Sequence, residues 1–206
     1  MQSLDKRRSG LTFQMTRDVL AVLISVVSFF ISTISVYVNN LKAPDLLVIT
    51  APYVKQVVDD QSLNEAFFIP ITAVNRGARP GTLLSFELTI TYVPSGEKQV
   101  LFGQYFTQGD SQSLIGPFFT PMTLNGYSSQ SATICFYPVG QQTGNFLSRT
   151  GLYEFEIRSQ TANVRGDSEK MVADQFQIVV DEEMSQVMQS QPDGEYVFPI
   201  PITAAR

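Results

Sequence analysis

The chain has no histidine, no tryptophan and a single cysteine, Cys135, in 206 residues. Without histidine, the usual general base and the commonest metal ligand are both missing. Zinc and haem sites built from their ordinary donor sets are excluded with it. One cysteine forbids an internal disulfide, so this is not a small secreted domain held by cross-links. Cys135 stands between Ile134 and Phe136 in an apolar stretch and reads as an inert buried thiol. Charged residues make up only 16% of the chain, against ~25% in an ordinary soluble domain. The net charge is −5 and the pI about 4.7. No basic stripe exists to neutralise phosphates, so no nucleic-acid partner is expected. No Asn-x-Ser/Thr acceptor occurs, which favours a bacterial or archaeal source. The glycine-containing stretch "NRGARPG" lacks the Lys-Ser/Thr pair of a phosphate loop. Asp59-Asp60 and Asp181-Glu182-Glu183 offer carboxylates for calcium, but adjacent carboxylates in loops are ordinarily just solvated. The expectation is a protein that is not an enzyme, with no catalytic, metal or cofactor-binding residues.

What the chain does have is an uncharged apolar run of 20 residues, Val19 to Val38. At 1.5 Å per residue a helix of that length spans about 30 Å, the thickness of a hydrocarbon core. A signal peptide has a shorter apolar core and a small-x-small cleavage site; here the run ends in "YVNNLK". A single transmembrane helix is expected over residues 19–38. It follows a short N-terminus (1–18) and precedes a linker (39–45). Lys6, Arg7, Arg8 and Arg17 flank the run on one side, Lys42 and Lys55 on the other. The positive-inside rule then puts the N-terminus in the cytoplasm and the rest outside, in a bacterial inner membrane.

Serines interrupt that run in a pattern. Ala21, Ser25, Ser28, Ser32, Ser35 and Asn39 are spaced 4, 3, 4, 3, 4 and fall within about 80° of one another on a helix. Leu23, Val27, Phe30, Ile34 and Tyr37 occupy the opposite side. A serine in a membrane helix can simply bond back to its own i−4 carbonyl. That accounts for each serine singly but not for their alignment. Small residues on one face let helix backbones approach closely in lipid, so the stripe is expected to be a helix-packing seam. Its partner would be another membrane protein or a second copy of the chain.

Beyond the linker the pattern changes to short alternating segments. Strands are expected at 46–50, 66–75, 84–93, 99–106, 131–137, 152–159 and 174–180. "LSFELTITYV" would place Leu84, Phe86, Leu88, Ile90 and Tyr92 on the buried face. The expected fold is all-β: an antiparallel immunoglobulin-like β-sandwich over 46–181, large enough for a core without disulfides. "TGLYEF" (150–155) has the Gly-x-Tyr-x-core spacing of a tyrosine corner, with Phe155 where antibody domains carry cysteine. In the remaining tail, 182–206, "EEMSQVMQS" reads as a short helix. "EYVFPIPIT" carries Tyr196, Val197, Phe198, Ile200 and Ile202 between prolines. These five would either pack on the chain's own domain or lie extended along a partner.

Two resemblances bear on this reading. "KRRSGLTFQ" (6–14) resembles the leader and glycine cut site of type IV pilin-like proteins. However, Met15 stands where those proteins carry glutamate, and Arg17 and Asp18 break the apolar run. The series "YVNNLKAPDLLV" then "FFIPITAVNRGARPGTLLSFELTI" resembles bacterial single-pass membrane proteins with one immunoglobulin-like sandwich, over residues 19–93. That resemblance implies an architecture and no activity. The functional expectation is a non-catalytic accessory or assembly subunit of a membrane complex. The alternative is a tethered ligand-binding or sensing module that uses loops 107–117 and 138–149, with a pilin-like filament component ranked below it.

Overall fold

The structure, a computed structural model, describes residues 3–58, 65–107, 118–138, 145–162, 168–191 and 194–200. The chain is mostly antiparallel β-sheet with one N-terminal apolar helix, and it divides into two units after Ala43.

Helix α1 runs from Ser3 to Val36. It starts well before the expected span, because nothing in residues 3–18 forbids the i→i−4 ladder except the mild cost of Gly10. It continues as a π-helical turn over Tyr37–Leu41, closed by Lys42 N–H donating to the Tyr37 carbonyl at 2.9 Å. Helical structure thus takes up part of the expected linker. Pro44 then requires an extended residue before it.

Ten strands follow. They are β1 Leu46–Thr50, β2 Tyr53–Val58, β3 Glu65–Asn75, β4 Gly81–Tyr92, β5 Glu97–Thr107, β6 Met122–Leu124, β7 Ser129–Pro138, β8 Gly151–Ala162, β9 Ser168–Val180 and β10 Gly194–Pro199, with helix α2 at Glu182–Ser190. They pair antiparallel in the order β10-β2-β3-β7-β5-β4-β8-β9, with β1 also on β3 and β6 also on β4. All ten belong to one hydrogen-bonded network, where the expected sandwich has two sheets.

That network is not flat. Phe67 in β3 and Phe155 in β8 lie four strand spacings apart along the ladder, about 19 Å in a flat sheet. Their ring centroids are 6.0 Å apart. The sheet therefore folds over and encloses one apolar core, in which Phe67, Ile69, Leu88, Ile90, Phe136 and Phe155 are almost fully buried. The curl also brings β9, the last strand of the ladder, beside β1. There the Thr50 backbone N–H donates to Asp174 Oδ2 at 3.1 Å, and the Thr50 hydroxyl donates to the same oxygen.

Several local devices allow the curl. Between Leu83 and Ser85 the β4–β8 register slips by a bulge. The bulge resets the alternation, so Leu83 rather than Leu84 faces the core. Pro70 sits inside β3 where its neighbour changes from β1 to β2. Its carbonyl accepts from Ala51 N in the turn between those strands, so its missing N–H costs no ladder bond.

The tail is part of the same unit. Asp181 caps α2 by accepting from Met184 N at 2.8 Å, and Glu182 and Glu183 occupy the first turn, where the helix dipole favours negative charge. The triple of acids is thus a helix start. Met188 of α2 and Phe198 of β10 are 0% and 1% exposed in the main core.

The end of the domain where the chain comes in is fastened by one side chain. Asn75 Oδ1 accepts from Asp45 N at 3.2 Å and Gly77 N at 2.9 Å. Its Nδ2 donates toward the carbonyls of Arg79 at 2.8 Å, Asn125 at 3.0 Å and Leu124 at 3.3 Å. One carboxamide therefore holds the first residues of the domain, the β3–β4 turn and the β6–β7 turn together. Asn75→Ala would leave several of these backbone groups without partners at a site that is 1% exposed. It is expected to lower stability by about 3 kcal/mol, read as a loss of thermal or urea resistance of the full chain in detergent.

Candidate functional site

The six residues of the expected seam lie on helix α1 and the turn that follows it. Ala21, Ser25, Ser28, Ser32, Ser35 and Asn39 are all exposed, as are Leu23, Val27, Phe30, Ile34 and Tyr37 on the other side. The segment Arg17–Leu41 is long and apolar enough to cross a membrane. Ser25 Oγ donates to the Ala21 carbonyl at 2.9 Å, the local back-bond open to any helical serine. Asn39 Nδ2 donates to Ser35 Oγ at 3.2 Å. These bonds run along the seam. They satisfy these polar groups within the helix itself.

The tail residues have a different placement from a free docking strip. β10 adds to the edge of the sheet beside β2, with Phe198 opposite Val54 and Tyr196 opposite Gln56. Phe198 is buried and Val197 is 54% exposed. Tyr196 and Ile200 pack against the core, and Ile200 N donates to the Pro52 carbonyl at 2.8 Å. Residues 194–200 thus lie extended on the chain's own domain, and Phe198 is not presented to a partner. Ile202, Asp59-Asp60 and the loop segments 108–117 and 139–144 lie outside the described residues.

The tyrosine corner is present as a hydrogen-bonding device. Tyr153 Oη donates to the Arg149 carbonyl at 2.8 Å and lies 3.1 Å from that of Phe146. Burial pushes its phenol up to about 12, which keeps it a donor. Gly151 has φ +148°, and a Cβ there would meet the Tyr92 ring at 2.7 Å, so both backbone and space call for glycine.

Cys135 is fully buried on the sheet face opposite the main core, beside Ala66 and Phe68. Burial pushes its thiol up to about 12, which removes the thiolate needed for reactivity.

One polar cluster was not legible as a site in the sequence. Glu65, Gln56 and Gln99 are 1%, 0% and 4% exposed. Gln56 Nε2 donates to Glu65 Oε1 at 2.5 Å and to Asn145 Oδ1 at 2.9 Å. Leu147 N lies 3.4 Å from Glu65 Oε1. Among the described residues, Glu65 Oε2, Gln56 Oε1, Gln99 Oε1 and Asn145 Nδ2 have no hydrogen-bond partner. Three of these four orphans are oxygens, so the cluster is short of donors. Burial pushes the Glu65 carboxyl up from 4.5 to about 7, against the opposing effect of its hydrogen bonds. Protonation of Glu65 adds one O–H donor to this cluster. The carboxyl is sealed from solvent. The sequence signal was the juxtaposition of Glu65 with an apolar strand, together with a glutamine at an inward position of β2.

No protein-family profile matches the chain, and no curated protein matches it. Among solved structures, one similar in part is a Bordetella pertussis protein carrying the name ApaA. It is 14% identical with a TM-score of 0.39, over 79% of this chain and 98% of that one. Another is a structural-genomics target, SoR45, 12% identical with a TM-score of 0.40, over 68% of this chain and 88% of that one.

The Glu65 cluster generates a pH dependence. Between about pH 4.5 and 7 the unfolded chain has released this proton and the folded chain has kept it. Stability contributed by the neutral acid is therefore full below that window and is lost through it, by on the order of 3 kcal/mol. Glu65→Gln, which stays neutral, is expected to flatten this slope in urea titrations run from pH 4.5 to 8. An unchanged slope would refute the assignment.

Proposed function

We propose that this chain is a membrane-anchored, non-catalytic accessory or assembly subunit. In this reading α1 crosses a bacterial inner membrane with its N-terminus in the cytoplasm, and the β domain stands on the extracytoplasmic side. The basic residues before the span and their scarcity after it support that direction. We also read the curled ladder as an immunoglobulin-like sandwich. Its sheets would be β10-β2-β3-β7 and β5-β4-β8-β9, joined where β5 meets β7 across the bulge between Gly103 and Tyr105. The B–E and F–C pairings of that topology then correspond to β3–β7 and β8–β4, with Tyr153 at the start of the F strand.

The observation that carries the assembly reading is the alignment of Ala21, Ser25, Ser28, Ser32, Ser35 and Asn39 on an exposed helical face. In lipid, apolar surface gives little drive for helices to associate, so close backbone approach and polar contacts worth about 0.6 kcal/mol each decide packing. A serine already bonded to its own backbone, as Ser25 is, enters such an interface without stranding a donor. A simple tether needs neither the alignment nor the small side chains.

The seam is tested by Ser28→Leu combined with Ser32→Leu, with Val27→Leu combined with Ile34→Leu as the control on the opposite face. In mild detergent from the native host, the seam variant is expected to lose its co-purifying partner or its self-association, and the control to keep it. An assembly that survives the seam variant intact contradicts the reading.

A further inference from the structure

Glu65 stands where α2 and β10 are attached to the domain. Its pairing partner in β2 is Val58, and Val58 pairs in turn with Gly194 of β10. The next inward-facing row along these strands is Tyr196, Gln56 and Phe67. From it Gln56 Nε2 reaches the Glu65 carboxyl at 2.5 Å. Leu147 N lies 3.4 Å from the same oxygen. Leu147 belongs to the short 3-10 turn Phe146–Ser148. The Ser148 carbonyl accepts from Ser185 Oγ at 2.7 Å and from Gln189 Nε2 at 3.0 Å, both on α2. The strand that holds β10 and the turn that holds α2 thus meet at one buried carboxyl.

That carboxyl has no counter-ion among the described residues. Gln56 of β2, Gln99 of β5 and the Phe146 and Leu147 backbone face it, and all are neutral. The charged groups on the same elements look elsewhere. Lys55 pairs with Glu195 of β10, and Arg149 faces Glu97 and Tyr153. Lys98, Glu182 and Glu183 are exposed. The hydrogen bonds to Glu65 favour its charged form, and burial outweighs them. An ionised Glu65 therefore gains most from water, which enters where an element can lift away at least cost. β10 is the edge of the ladder, so lifting it breaks its pairing with β2 and leaves the order β2-β3-β7-β5-β4-β8-β9 intact. The ion pair between Lys55 and Glu195 is solvent-exposed and adds little to its hold.

We infer that α2 and β10 form a pH-sensitive latch: loss of the Glu65 proton frees them from the domain while the other strands stay paired. Release withdraws Met188 and Phe198 from the core, where they are 0% and 1% exposed. It bares the outer edge of β2 and the place of Phe198, the two features that accept an extended strand. The sign follows from the open form holding the carboxyl in water. There the proton leaves near 4.5, and in the closed form at about 7. Opening therefore grows more favourable as pH rises between these values and levels off above them.

Hydrogen exchange of the full-length protein in detergent tests this, at pH 5.5 and pH 8 with labelling times scaled to the intrinsic amide rates. At pH 8 residues 182–191 and 194–200 are expected to exchange at least about tenfold faster than β4 and β8, through an opening those strands do not share. Between the two pH values the opening constant of α2 and β10 is expected to rise by up to about 30-fold. Glu65→Gln, which has no proton to lose, is expected to abolish that rise. Protection of α2 and β10 equal to that of β4 and β8 would mean that they open only with the whole fold and would overturn the inference. An opening of α2 and β10 that is independent of pH would overturn it on the wild-type chain alone. A pH-dependent rise that survives in Glu65→Gln would do the same.

Discussion

The carboxamide of Asn75 is the constraint on which the rest of the domain depends. It meets the chain at Asp45, closes the β3–β4 turn through Gly77 and Arg79, and holds the β6–β7 turn through Leu124 and Asn125. No apolar contact could do this, because what must be joined are backbone N–H and C=O groups that would otherwise be buried unpaired. With that end fixed, β1 is delivered to the edge of β3 in a defined register. The Thr50–Asp174 clasp can then form between β1 and β9. The two devices act at opposite ends of β1, and together they hold a curled sheet around one core.

The opposite end of the domain carries the complementary device. Tyr153 ties the start of β8 to the preceding segment, and nearby a buried acid, Glu65, is held by Gln56 and Gln99, with Asn145 bonded in turn to Gln56. A domain lacking disulfides and tryptophan gains definition from these buried polar contacts, because each bond fixes the geometry of the groups that make it. Burial favours the protonated form of Glu65, so that end of the fold carries a pH dependence.

Much of this was legible in the chain. The apolar run, the seam spacing, the strand at 46–50, the helix at 182–190 and the tyrosine corner follow from periodicity and turn chemistry. Other features were hidden for physical reasons. β2 escaped because its inward positions are Val54, Gln56 and Val58, and a glutamine at the centre breaks the apolar alternation. The phase of β4 was misread at Leu84 because a bulge shifts the period by one residue and leaves no mark in composition. The outer arms of β8 and β9 pair polar residues such as Gln160 with Lys170, which carry no hydrophobic signal. The tail was open between two placements, and only the core position of Phe198 decides in favour of the chain's own domain for residues 194–200. Asn75 itself looked like an ordinary turn residue, since its role depends on partners up to 50 residues away.

The proposed assembly reading rests on the one small-residue face of α1. Its most direct measurement is a photo-crosslinking scan along α1 in native membranes. A benzophenone amino acid replaces, one at a time, Ser25, Ser28, Ser32 and Ser35 on the seam and Val27, Phe30, Ile34 and Tyr37 opposite it. Protein adducts that rise and fall with the helical repeat and peak on the serine positions are the result predicted. Adducts of equal yield around the helix, or confined to the bulky face, would contradict it.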